Sequence, residues 1–126
     1  MDIDIRTVST PALAYLGDAV LELCARRRLL QKGYASSKSL NTHARAYVTA
    51  PAQAKAMERL LPHLSQQEDA VFHRGRNIGH TNTPRSATVA EYRMATGMEA
   101  LFGYLHLLGD QERIEQLFAL AYPEEL

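Results

Sequence analysis

Apolar residues recur at three- and four-residue spacings along most of the chain, a pattern that predicts α-helices. The first apolar stripe comprises Leu13, Leu16, Val20, Leu23 and Cys24. Pro11 suits the first turn of this helix, and Gly33 suits its end. No segment alternates apolar and polar residues in the way of a half-buried strand. The hydrophobic pattern therefore predicts an all-α protein.

Capping and turn residues divide the rest of the chain into further helices. A second helix begins within 36–39 and ends near Val48, and a third opens at Pro51 and ends near Pro62. Capping-box patterns at 65–68 and 88–91 open a fourth and a long fifth helix, and 111–121 form the last. Residues 77–86 are rich in Gly, Asn, Thr and Pro and are predicted to be a loop. The expected fold is a single compact bundle of about six helices.

The composition agrees with one globular domain. The length of 126 residues fits a single domain, 1–126, with its core at about 10–122. Cys24 is the only cysteine, which excludes an internal disulfide and a Cys-rich zinc site. No apolar run approaches the roughly 18 residues of a membrane span, and Asp2 and Asp4 stand where a signal peptide would be basic. We therefore expect a cytoplasmic protein with no membrane partner.

The charges are segregated along the chain although they sum to zero. Residues 1–25 carry −3, residues 26–93 carry +8 and residues 94–126 carry −5. A basic segment of this size is typical of a protein that binds a phosphate backbone. A solvated face of helices would give the same count, so both interpretations stay open.

Asp18 lies in the middle of the first predicted helix, where an aspartate neither caps nor favours the helix. Gly17 beside it costs about a further 1 kcal/mol relative to Ala in a helix interior. A glycine in that position suggests that another backbone comes close. A plain exposed carboxylate is the alternative, because Asp18 lies away from the Leu16, Val20 and Leu23 stripe on a helical wheel.

Glu99 lies in a helix that is apolar nearly all round, which implies a central position in the bundle. A carboxylate there needs a hydrogen bond, an ion pair or a metal ion. A structural pairing with an arginine or a helix N-terminus is the alternative. If Asp18 and Glu99 face one cleft, their oxygens suit Mg²⁺, with Mn²⁺ as a substitute, and such an ion can activate water for phosphodiester hydrolysis. Both acids are therefore candidate catalytic and metal-binding residues.

A basic cluster closes the fourth predicted helix and continues into the loop. It comprises Arg74, Arg76 and Asn77, followed by Arg85 in the loop itself. Such donors suit phosphate and sugar contacts, so these four are candidate RNA-binding residues. Compensation of the dipole at a helix C-terminus is the alternative reason for the arginines.

Motifs placed in this order along the chain resemble the ribonuclease III family. The run Tyr15-Leu16-Gly17-Asp18-Ala19-Val20-Leu21 resembles the signature helix of its catalytic domain, and Met98-Glu99-Ala100-Leu101-Phe102-Gly103-Tyr104-Leu105 resembles its second motif. Residues 50–54, 74–77, 83–84 and 92–93 resemble the bacterial Mini-ribonuclease III subfamily, which has the catalytic domain and nothing after it. The resemblance covers about residues 10–122.

The resemblance implies an all-helical endonuclease domain that acts as a homodimer on double-stranded RNA. It implies one Mg²⁺-dependent site per subunit, formed by Asp18 and Glu99, and products with 5′-phosphate and 3′-hydroxyl ends. The substrate implied for the subfamily is the double-stranded stalk of the 23S ribosomal RNA precursor. Tyr15 falls at the aromatic position that lies near the dimer contact in the family.

Two positions depart from the family's pattern. Ala14 stands where the signature has a Glu, four residues before Asp18, and Thr96 stands where the second motif has an Asp, three residues before Glu99. The subfamily shares this loss, so activity is still expected, whereas tight binding of a second metal ion is not. The two replacements leave open a non-catalytic helical module that binds double-stranded RNA. A protein-interaction bundle with no nucleic-acid role is the third possibility.

Overall fold

Six α-helices make up most of the described residues, 2–78 and 87–124, of a computed structural model. They are α1 (Thr10–Gln31), α2 (Ser37–Val48), α3 (Ala50–Leu60), α4 (Gln66–Arg76), α5 (Val89–Leu108) and α6 (Gln111–Ala121). No residue within these described ranges forms a strand, so the predicted all-α bundle of about six helices is confirmed. None of these helices is long and apolar enough to cross a membrane.

Local capping explains why the helix starts agree with the sequence pattern. The side chain of Ser9 accepts a hydrogen bond from the backbone N–H of Ala12, 3.2 Å away, at the start of α1. Ser65 and Thr88 each form a reciprocal capping box, with Glu68 and Glu91 respectively. These interactions involve only near neighbours in the chain, so the sequence alone contains the information that sets the helix starts.

Helix α5 occupies the centre of the bundle, where it packs against α1, α3, α4 and α6. Its buried residues are Ala95, Thr96, Gly97, Met98, Ala100, Leu101, Phe102, Gly103 and Leu105. They lie on nearly every side of the helix, so the central position expected from its apolar sequence is confirmed. Helix α2 packs against α1 and α3, away from this central contact.

The backbones of α1 and α5 touch at two glycines. A Cβ atom on Gly17 would lie 1.6 Å from the carbonyl oxygen of Glu99, and one on Gly103 would lie 2.0 Å from the carbonyl oxygen of Leu13. Only a residue without a Cβ fits at either position, as the mid-helix Gly17 suggested. Because Asp18 directly follows Gly17, this contact brings the acid of α1 next to the acid of α5.

The predicted apolar stripe of α1 is wrong at Leu23. The side chain of Leu23 is 60% exposed. The buried face of α1 instead includes Gly17, Leu21 and Ala25, at four-residue spacing, and Leu23 is two residues from both Leu21 and Ala25. The contact with α5 at Gly17 decides which face of α1 is covered, and Leu23 falls outside it.

Candidate active site

Asp18 and Glu99 face the same cleft between α1 and α5. The cleft is lined by Pro11, Ala14, Tyr15, Asp18, Ile78, Tyr92, Thr96 and Glu99. Asp18 is an exposed residue, whereas Glu99 is partly buried. The structure thus brings together the two acids that the sequence singled out, although 81 positions separate them in the chain.

The Glu99 carboxyl is strongly perturbed by its surroundings. Burial is the main cause, and the negative charge of Asp18 and a hydrogen bond to it add to the effect, raising the pKa of Glu99 to about 8. Because this pKa lies above neutrality, the Glu99 carboxyl holds its proton at neutral pH. The alternative that Glu99 pairs with an arginine or a helix N-terminus is wrong, because its partner is another acid.

The chemistry of this pair fits a hydrated divalent cation. Two carboxylates that share a site repel each other unless a proton or a cation lies between them. Mg²⁺ takes one or two carboxylates and keeps several waters. No group of three or more His, Cys, Asp or Glu residues in 2–78 and 87–124 is arranged to hold a metal ion. Within the described ranges, Asp18 and Glu99 would therefore hold such an ion with water as most of its remaining ligands.

Ala14 and Thr96 line the same cleft as the two acids. They are the positions where the family's pattern has two further carboxylates. The hydroxyl group of Thr96 donates a hydrogen bond to the carbonyl oxygen of Tyr92, 3.0 Å away. The cleft therefore has neutral side chains where the family's pattern has two more negative charges, which agrees with the expectation that a second cation is not bound tightly.

The predicted RNA contacts are not gathered at one place. Asn77 caps the end of α4, and the next residue, Ile78, lines the cleft of the two acids. The Arg76 guanidinium lies 6.0 Å from the centre of the Phe72 ring, one turn earlier on α4. Arg74, in contrast, lines a separate groove with the N-terminal segment of the chain. Arg85 lies outside the described residues.

Sequence reasoning missed Gln53, which lines a second depression next to the cleft. Tyr92, Thr96 and Glu99 line both spaces, and Gln53 lines only the second. A signal was present in the sequence, because Gln53 precedes the buried Met57 by four residues and is the one polar member of that face of α3. Residues 50–54, which contain Gln53, also belong to the resemblance to the subfamily, but that resemblance assigned no role to the glutamine.

Comparison with known proteins agrees with the helical bundle. Residues 11–110 match the family described as Ribonuclease III domain, and the chain belongs to this family. It is 46% identical over 115 residues to Mini-ribonuclease 3 of Symbiobacterium thermophilum, which covers 91% of this chain and 88% of that protein. Mini-ribonuclease 3 of Streptococcus pneumoniae is 39% identical over 117 residues, 91% of each chain. A crystal structure of a protein from Fusobacterium nucleatum has a TM-score of 0.82 at 37% identity and covers 93% of both chains.

Proposed function

We propose that the protein is a Mg²⁺-dependent endoribonuclease that hydrolyses phosphodiester bonds in double-stranded RNA. The observation that carries this proposal is the pairing of Asp18 with Glu99 at the glycine contact of α1 and α5, in a chain of the ribonuclease III family. Mn²⁺ is expected to substitute for Mg²⁺, because it also accepts carboxylate and water ligands.

In this proposal the two acids bind the metal ion at which the phosphodiester is hydrolysed. Asp18 and Glu99 would hold a Mg²⁺ ion, which would supply Lewis acidity and lower the pKa of a bound water. Asp18 offers a carboxylate that is open to solvent, and Glu99 must give up its proton before it can act as a ligand. Cleavage of the P–O3′ bond gives products with 5′-phosphate and 3′-hydroxyl ends.

Within the basic segment 26–93, the RNA backbone is proposed to follow the end of α4 and the residues after it. Arg76 and Asn77 stand at the end of α4 that leads to the cleft, and Arg85 belongs to the segment that follows. Arg74 is proposed to contribute from its separate groove, which the Arg6 guanidinium also lines. The proposed substrate is the double-stranded stalk of the 23S ribosomal RNA precursor, in the cytoplasm.

A homodimer is proposed to form through the exposed face of α1. Tyr15, Leu23 and Leu30 are 85%, 60% and 56% exposed, and helical geometry places them on one side of the helix. Exposed apolar side chains that share a face mark an interaction surface. Tyr15 also lines the cleft, so a second copy on this face would border the proposed active site.

Cleavage of a long RNA duplex tests the proposed activity. We expect products in Mg²⁺ and none in excess EDTA, and we expect Asp18→Asn to slow cleavage by at least about a hundredfold, since even outer-shell changes at metal sites cost about 10–100-fold. Glu58→Gln is the control, because Glu58 is an exposed acid of α3 outside the cleft. Equal cleavage in EDTA, or an undiminished rate in Asp18→Asn, would overturn the proposal.

The specific alternative is a non-catalytic module that binds double-stranded RNA. It is favoured by one observation, that Ala14 and Thr96 line the cleft in place of two acids. Duplex binding at low salt without cleavage in Mg²⁺ or Mn²⁺ would support this alternative and contradict catalysis.

A further inference from the structure

A second depression lies next to the cleft of the two acids, and three residues line both spaces. These residues are Tyr92, Thr96 and Glu99, and Gln53 and its neighbours on α2 and α3 complete the second space. Its volume is about 200 Å³, which is below the roughly 300–1,000 Å³ of sites that enclose a whole small ligand. The space therefore suits one part of a nucleotide and lies directly next to the proposed reacting phosphate.

Gln53 is the unusual side chain of this depression. It is only 3% exposed, and its side-chain amide has no hydrogen bond to any other residue in the described ranges. No fully buried side-chain polar atom in those ranges lacks a partner, so the amide retains a small accessible edge. A buried amide without a partner is unfavourable unless water or a ligand satisfies it. The amide offers both a donor and an acceptor to such a ligand.

The lining of the depression indicates the chemistry of that ligand. No lysine or arginine of the described residues lines it, so it does not suit a phosphate group. Val48, Ala50 and Ala95 give it small apolar walls. Apolar walls beside a group that both donates and accepts suit a compact neutral ring that carries a hydroxyl group. In a nucleic acid, that description fits the ribose.

We propose that Gln53 binds the 2′-hydroxyl of a ribose next to the scissile phosphate and thereby helps the site select RNA over DNA. This inference rests on the proposed function, because it assumes that the phosphate reacts at Asp18 and Glu99. The 2′-hydroxyl both donates and accepts hydrogen bonds, and it is the group by which a protein distinguishes RNA from DNA at a given position. Gln53 is thus a specificity-determining residue.

Single 2′-deoxy substitutions in the substrate test this role. The cleavage position is first mapped on an all-RNA duplex, and 2′-deoxynucleotides are then placed one at a time on either side of it. For the wild-type protein we expect one substitution to slow cleavage about three- to tenfold, the effect of one lost hydrogen bond. Gln53→Met keeps the side-chain length without the amide and should slow cleavage of the all-RNA duplex by the same factor. In this variant the deoxy substitution should then change the rate by less than about twofold.

Two further variants make the result decisive. Gln66→Met, at an exposed position of α4, is the matched control and should keep the wild-type discrimination. Gln53→Leu also lacks the amide, and it replaces Gln53→Met if melting shows that the latter is unfolded. Discrimination that is equal in wild type and a folded Gln53 variant, or absent in wild type at every position, would overturn the role of Gln53. Absence of any cleavage by the wild-type protein would instead overturn the proposed function and this inference with it.

Discussion

Gly17 of α1 lies directly against the carbonyl oxygen of Glu99 on α5. A Cβ atom at Gly17 would be 1.6 Å from that oxygen, far inside van der Waals contact. The close approach places the next residue, Asp18, beside the Glu99 side chain. One backbone contact therefore determines both the packing of the two longest helices and the separation of the two acids.

Replacing Gly17 with alanine should destabilise the protein. Helix propensity alone would raise the free energy of unfolding by about 1 kcal/mol. A decrease would therefore show that the contact between the two backbones outweighs helix propensity. Forcing a methyl group between two backbones costs about 1–3 kcal/mol or more. The free energy of unfolding from urea titration measures the change. A variant that is as stable as the wild type would show that α1 and α5 do not touch at this point.

The stability of the metal-free protein should fall as pH rises from about 5 to about 8 because of Glu99. The pKa of this carboxyl is about 8 in the folded protein and 4.5 is its ordinary value, so the folded state holds the proton more tightly. The contribution of Glu99 to the free energy of unfolding is therefore fully present below about pH 4.5 and is lost as pH rises through about 8. Glu99→Gln removes this titration. Urea titrations in EDTA at several pH values should show a smaller pH-dependent loss for Glu99→Gln than for the wild type.

A divalent cation should stabilise the wild-type protein against heat, since it binds only where both carboxylates are held together. Mn²⁺ at about a hundred times its Kd would contribute about 2.7 kcal/mol to the free energy of unfolding. Because the cation must displace the Glu99 proton, the shift in Tm should be larger near pH 8 than near pH 6. The double variant Asp18→Asn with Glu99→Gln should show no shift. An equal shift in that variant would place the cation elsewhere.

Charge on the exposed face of α1 should separate the proposed dimer. We expect the wild-type protein to sediment as a dimer at micromolar concentration. The double variant Tyr15→Asp with Leu23→Asp should sediment as a monomer of unchanged helicity, because the interface would bury unpaired carboxylates. Leu108→Asp is the control, since Leu108 is 52% exposed at the end of α5. A wild-type monomer, or dissociation caused equally by the control, would contradict the proposed interface.

Arg76 should contribute to RNA affinity through salt-dependent contacts. Each phosphate contact on duplex DNA changes the slope of log K against log salt by about 0.9, and a similar change is expected for a duplex RNA. Arg76→Ala should therefore reduce the slope by about one, whereas Lys32→Ala, at the exposed end of α1, should leave it unchanged. Fluorescence anisotropy measures binding without cleavage when Asp18→Asn is present in the parent and in both variants. Equal slopes for Arg76→Ala and its parent would show that Arg76 makes no phosphate contact with the RNA.

The sequence was sufficient for features that depend on near neighbours or on an unfavourable placement. Ser65 and Thr88 mark helix starts through local hydrogen bonds, and both starts were predicted. Asp18 and Glu99 stood out because an acid has no local reason to occupy either position. Residues whose surroundings depend on helix packing were not predictable in this way. The contact of α1 with α5 decides that Leu23 is exposed, and the approach of α3 to α5 decides that Gln53 borders Glu99.

The glycine contact also sets the order in which a growing chain can acquire its two-acid cleft. Asp18 is synthesised early, whereas Glu99 lies in α5, which ends at Leu108. Until the ribosome has released α5, the face of α1 around Gly17 has no surface to meet, and closure of this contact must overcome the entropy of a long intervening segment. A truncated or nascent chain that ends before α5 therefore lacks the paired carboxylates altogether, and any nuclease activity of this protein must appear only after α5 has been made.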